Sequence, residues 1–282
     1  IVILTPVYYP FHNAVKDNER NLIKCELKND NGIFSIDFEK LESDIVKNNV
    51  KLMIFCNPHN PAGRVWTDEE IDKAFDICKK HNVYIISDEI HQDMNLGVRP
   101  FISALSIKNK EKYLDRLIVL SSASKTFNLA CLLNSHIIIP DEKMRERYNK
   151  YVNTINRTEL SLLGMVATEA AYRYGSDWLD GLLKTLKRNY EYIRDELKAK
   201  VPEIITSPLE GTYLPFIDLR KVVNPERVKE FIQDDCKIAI DFGEWFSDNC
   251  KGFIRVNIAT DFKYIEQFVN KVTSQLKTKN YK

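Results

Sequence analysis

Short β-branched apolar runs alternate with helix-length amphipathic segments through the first half of the chain. Strands are predicted at residues 1–4 (IVIL), 22–27 (LIKCEL), 51–56 (KLMIFC), 83–87 (VYIIS), 116–121 (RLIVLS) and 135–140 (SHIIIP). The segment TDEEIDKAFDICKKHN, residues 67–82, has helical spacing instead. Ile71, Phe75 and Cys78 share one face, and Thr67 with Glu70 has the form of a capping box. Strands that alternate with helices and are apolar on both faces predict an α/β domain with a mainly parallel sheet. From Asp141 the pattern changes to long helices, at 141–156, 159–175 and, polar-striped, near 177–200. After Pro202 come GTYLPFIDL and GFIRVNIAT, two more strands separated and followed by helices, which predict a smaller α+β unit. The expected division is 1–176 for the large domain and 177–282 for the long connecting helix and small domain.

Composition narrows the function classes. The 282 residues are enough for one large or two moderate domains, and 44% hydrophobic with 29% charged residues is ordinary for a globular protein. A formal net charge of +1 gives no electrostatic reason to expect nucleic acid or a membrane surface as partner. No apolar segment approaches the ~20 residues that span a bilayer. The cysteines at 25, 56, 78, 131, 236 and 250 are scattered in a chain too large to need staples, which points to reduced thiols and a cytoplasmic location.

In an open α/β sheet, ligands bind beyond the carboxyl ends of the strands. The strand at 51–56 delivers NPHNPAG there, and the strand at 83–87 delivers DEIH, with Asp88, Glu89 and His91. The strand at 116–121 delivers Ser122, Ser124 and Lys125. Singly these are weak signals, since Asp after a strand is often a helix cap and Asn-Pro is usually a turn. Together they bring an amide, a carboxylate and an amine to one rim. The lysine is the awkward member: just past an apolar strand, an ammonium either snorkels to water or has chemical work to do.

CNPHNPAGRVWT, ISDEIHQD and SSASKTFNLA, in that order, resemble the signature set of fold-type I pyridoxal 5'-phosphate (PLP) enzymes, the class I/II aminotransferase superfamily. The wording is most similar to the cystathionine β-lyase branch (MalY/PatB type), and the likeness runs on to GFIRVNIAT. It implies the aspartate aminotransferase-like fold and PLP as cofactor. It implies that Lys125 forms the Schiff base, which needs a neutral amine, and that Asp88 pairs with the pyridine nitrogen. By the same resemblance Asn60 donates to the phenolic oxygen, Tyr8 stacks on the ring, and Ser122 and Ser124 contact the phosphate. Arg255 matches the arginine that grips the substrate α-carboxylate. His91 stands where many aminotransferases have tyrosine, as the β-lyase branch does, and so favours β-elimination. The reaction implied converts cystathionine, or a related cysteine S-conjugate, to pyruvate, ammonia and a thiol, in a homodimer that shares its active sites.

Ala62 replaces the usual threonine and Cys131 the usual glycine, for which altered packing is the expected result. The family also has a portion before ILTPVYYP that holds a phosphate loop and residues reaching the neighbouring subunit. If the polypeptide starts at Ile1, weak PLP binding and little activity are expected; if it is part of a longer protein, the reading stands. Other readings are an aminotransferase and a catalytically weak PLP-fold regulator. Ser122-x-x-Lys125 with SDN at 247–249 suggests a serine hydrolase, but no K-T-G follows. Cys56-x-x-His59 and Cys78-x-x-His81 have zinc-like spacing, yet Cys78 lies on an apolar helix face, and no metal is expected.

Overall fold

The computed structural model describes residues 1–155 and 161–282. Along the chain come β1 (Val2–Thr5), α1 (Pro10–Asp17), β2 (Ile23–Glu26), β3 (Lys28–Asp30), β4 (Ile33–Ser35), α2 (Phe38–Lys47) and β5 (Leu52–Cys56). They are followed by α3 (Asp68–Lys80), β6 (Tyr84–Asp88), β7 (Leu117–Ser121), α4 (Ala123–Thr126), β8 (His136–Ile138), α5 (Glu142–Thr154) and α6 (Leu162–Tyr174). The remainder is α7 (Ser176–Lys200), β9 (Ile205–Thr206), β10 (Phe216–Asp218), β11 (Asp241–Phe242), β12 (Phe253–Arg255) and α8 (Phe262–Thr278).

Six strands form one sheet in the order β2-β1-β5-β6-β7-β8. All pairs are parallel except β7 with β8. The sheet is therefore mainly parallel, as expected, and its sixth strand, β8, runs the other way as an exposed edge. The β3–β4 hairpin turns through Asn31 and Gly32, both at positive φ, +48° and +88°. A second, antiparallel sheet has the order β11-β12-β10-β9. The helix ends expected at 156 and 159 lie outside the described residues.

The local chemistry explains these elements. Thr67 Oγ1 accepts from Glu70 N at 3.2 Å and Glu70 Oε2 accepts from Thr67 N at 2.9 Å, so α3 starts on a complete capping box. Its apolar face packs Phe75 edge-on to Phe55 (5.4 Å) and to Tyr113 (5.6 Å), all fully buried. Along α7, Leu186, Tyr190, Ile193 and Leu197 recur at helical spacing and are buried with Ile254 of β12 and Val269 of α8. One core thus lies against the six-stranded sheet and another between the four-stranded sheet and α7 and α8. Among the described residues no helix is long and apolar enough to cross a membrane.

Candidate active site

A cavity of about 430 Å³ opens where the carboxyl ends of β1, β5, β6 and β7 face the four-stranded sheet. Tyr8, Asn60, Asp88, His91, Ser124 and Lys125 line it from the large sheet, and Tyr213, Asp241, Arg255 and Asn257 line it from the other side. All but one of the residues to which the resemblance gives a cofactor or substrate role therefore meet in one place. The exception is Ser122, whose hydroxyl caps α4 by accepting from Ser124 N at 3.0 Å and reaches Asn134 O at 2.6 Å. Ser122 is buried there and does not line the cavity with Lys125, which leaves the hydrolase pairing without its nucleophile. Ser247 of the SDN sequence bonds instead to Glu26.

The turn after β5 is held by several of its polar groups. Asn57 Nδ2 donates to Ile102 O at 3.1 Å, while its Oδ1 accepts from Trp66 N at 3.1 Å. His59 Nε2 sits 2.9 Å from Pro6 O, tying this turn to the loop that carries Tyr8. Gly63, at φ +71°, is needed where it stands: a Cβ there would lie 2.8 Å from Pro208 O. Asn60 is buried, and its Oδ1 accepts from Arg255 Nη1 at 2.8 Å. The Arg255 guanidinium also meets Asp241 Oδ2 through Nε (3.0 Å) and Nη2 (2.5 Å) and lies 4.6 Å over the Phe246 ring. On the opposite wall, Thr212 is held at φ +71°, an uncommon conformation for a β-branched residue, with its N–H on Met94 O at 3.0 Å. Tyr213 follows it into the cavity.

Burial sets the electrostatics. It pushes the Asp88 carboxyl up to about 6, against the opposing pull of the Ile90 N–H and the Lys125 charge. Burial also pulls His91 down to about 3, helped by the nearby charges of Lys125 and Arg255. His91 is therefore neutral at physiological pH, and among the described residues its buried Nδ1 has no hydrogen-bond partner. Burial raises Tyr8, with Tyr9 adding to the effect. The zinc-like spacings hold nothing comparable. Cys78 Sγ lies 3.4 Å from Met53 Sδ in the core, and among the described residues no three His, Cys, Asp or Glu side chains are grouped to hold a metal ion.

The sequence profile of the family described as "Aminotransferase class I and II" matches residues 1–272. The chain belongs to that family. Protein MalY of Escherichia coli (strain K12) is 33% identical over 271 residues, covering 95% of this chain and 68% of its own length. Cystathionine beta-lyase PatB of Bacillus subtilis (strain 168) is 29% identical over 277 residues, covering 98% and 71%. The solved structure of cystalysin from Treponema denticola, which contains a pyridoxal 5'-phosphate cofactor, superposes with a TM-score of 0.93 at 37% identity, covering 98% of this chain and 70% of that one. The fold is accordingly the PLP-dependent, aminotransferase-like one expected from the sequence motifs.

Within this member of the aminotransferase class I and II family, sequence reasoning missed Tyr213, Asp241 and Asn257 as cavity residues. Tyr213 and Asn257 lie within the two strand motifs already noted, where an interest in the ends of those strands would have found them. Asp241 has no local signal: it reaches the site because β11 pairs with β12. Ala62 and Cys131, the two departures from family usage, do not line the cavity.

Proposed function

We propose that this protein is a PLP-dependent carbon–sulfur β-lyase that cleaves cystathionine or a related cysteine S-conjugate to pyruvate, ammonia and a thiol. The observation that carries the reading is the meeting of Lys125, Asp88 and His91 in one cavity, in a chain whose relatives include a cystathionine beta-lyase. The residues suit the cofactor. A buried carboxylate whose side chain is hydrogen-bonded, among the described residues, to one backbone N–H is matched to a cationic ring nitrogen. An orphaned imidazole nitrogen and a lysine amine stand beside it. The cavity volume falls in the range of small-molecule sites.

Bound PLP would supply an aldehyde for amines and a ring that withdraws electrons from the substrate Cα. Lys125 would be its covalent anchor and, once free, the base that takes the Cα proton. Asp88 would keep a proton on the ring nitrogen. Asn60 has its Oδ1 committed to Arg255, which leaves the Nδ2 hydrogens to donate to the phenolic oxygen. Tyr8 would stack on the ring, Ser124 would serve the phosphate while Ser122 caps α4 behind it, and Arg255 would take the α-carboxylate. His91, held neutral, would contact the ring's polar edge without adding charge.

The same reading extends to organisation. We infer a large domain at 1–176 and a small one at 177–282, supported by the two separate sheets, all of whose strands fall on one side or the other of that boundary. A cytoplasmic homodimer with shared sites is supported by the free cysteines and by the exposed Leu162, Leu163, Met165 and Val166 on α6.

Borohydride reduction of the PLP-loaded protein, followed by digestion, should leave a phosphopyridoxyl group on the Lys125 peptide. Its absence after excess PLP refutes the cofactor assignment. With cystathionine, pyruvate and thiol formed without any acceptor identify a lyase. Dependence on a keto-acid acceptor identifies an aminotransferase, the second reading, which the family's own description favours. A PLP absorption band with neither product identifies a binding protein.

A further inference from the structure

The cavity contains a carboxylate that the proposed chemistry does not use. Asp241 lies directly opposite Arg255 in the antiparallel pairing of β11 with β12, so the backbone register itself brings the two side chains together. Both Nε and Nη2 of Arg255 bond to Asp241 Oδ2, Nη1 bonds to Asn60 Oδ1, and the Phe246 ring covers the guanidinium plane. A guanidinium has five N–H groups, two on each terminal nitrogen and one on Nε. Three are occupied by these partners, which leaves one hydrogen on Nη1 and one on Nη2 among the described residues. Those two hydrogens belong to the pair of nitrogens that can hold a carboxylate end-on with two parallel bonds.

We propose that Asp241 is a positioning residue: it locks the Nε side of Arg255, as Phe246 locks its face, so that the terminal nitrogens are presented to an incoming α-carboxylate. This rests on the reading of Arg255 as the carboxylate-binding arginine given above. The alternative role for an acidic group in this place is a competitor that must leave before substrate enters. Geometry favours positioning. The Asp241 bonds occupy the edge that contains Nε, and the remaining hydrogens need no displacement of Asp241 to be used. The Arg255 side chain is only 10% exposed, so without Asp241 its charge would be left buried with a neutral amide as its one polar partner.

The test separates binding of the carboxylate from binding of the amine. Protein loaded with PLP is titrated with L-alanine, which has the α-carboxylate but no leaving group, and with L-alaninol, which lacks the carboxylate. Both are followed by the cofactor's absorption. D241A should weaken L-alanine about ten- to hundredfold, the loss of hydrogen bonds to a charged group, and change L-alaninol less than about twofold. D241N, isosteric and still an acceptor, should fall between D241A and the parent, and it carries the test if D241A does not fold. Equal weakening of both ligands, unchanged L-alanine binding, or tighter L-alanine binding would each overturn the proposal. R255A is the control for the reading beneath it. If R255A leaves L-alanine binding intact, Arg255 is not the carboxylate site and the proposal falls with it. If R255A loses that binding while D241A and D241N keep it, only the role of Asp241 is wrong.

Discussion

Asp88 costs the cofactor-free protein stability, and the amount follows from its surroundings. Burial at the end of β6 raises its carboxyl from 3.8 to about 6, despite the Ile90 N–H and the Lys125 charge. Near pH 4 the folded state keeps the proton and the unfolded chain keeps much of it, so little is lost. As pH rises towards 6 the unfolded chain releases its proton first, and the folded state loses ground until both are ionised. That difference amounts to about 3 kcal/mol, and water at the cavity mouth brings the expectation to about 1–3 kcal/mol. Asp88→Asn removes the charge and keeps the Oδ1 acceptor that Ile90 N needs at 3.1 Å. Urea unfolding of PLP-stripped protein near pH 7.5 should show the variant more stable by about 1–3 kcal/mol, shrinking to about 0.5 kcal/mol or less near pH 4. Added PLP should stabilise the parent more than the variant, since the variant cannot pair with a cationic ring nitrogen. A variant no more stable than the parent near pH 7.5, or a gain of equal size at both pH values, would refute the assignment of a strained, ionised Asp88.

Three further outcomes follow from other residues. His91→Gln should leave the shape of the pH–rate profile unchanged between about pH 5 and 8, because His91 is already neutral there; a shifted acid limb in a stopped assay would contradict this. Phe75→Ala should cost about 3–5 kcal/mol in urea unfolding, since Phe75 is fully buried between Phe55 and Tyr113. Thr67→Ala should cost about 1 kcal/mol through loss of the α3 cap, and thermal melts should show a smaller drop than for Phe75→Ala.

The large sheet was legible because its strands are apolar on both faces and each is bounded by polar turns, a pattern contained in the local sequence. The capping box at Thr67 and Glu70 was legible for the same reason. The β3–β4 hairpin was not recognised, although Asn31-Gly32 is the dipeptide such a turn favours, because the strands around it are short and largely polar. The reversed direction of β8 depends on how the chain returns after α4, which strand composition does not encode. The same distinction governs the cavity. Tyr8, Asn60, Asp88, His91, Ser124 and Lys125 follow strand ends that the sheet gathers on one edge. Asp241 arrives through pairing with a strand a dozen residues further on, and Ser122 turns inward because its hydroxyl is needed by the backbone of α4.

The two walls of the cavity belong to different sheets, bridged by the contact between Asn60 and Arg255. Groups suited to hold an aromatic cofactor are anchored on one wall, and groups suited to recognise an amino acid on the other. If Lys125 and Asp88 hold the cofactor as proposed, exchanges around Tyr213 and Asn257 should change which amino acid is accepted while the groups on the other wall stay as they are. Diversification of this scaffold should leave its record in β10 to β12 and the turns beside them.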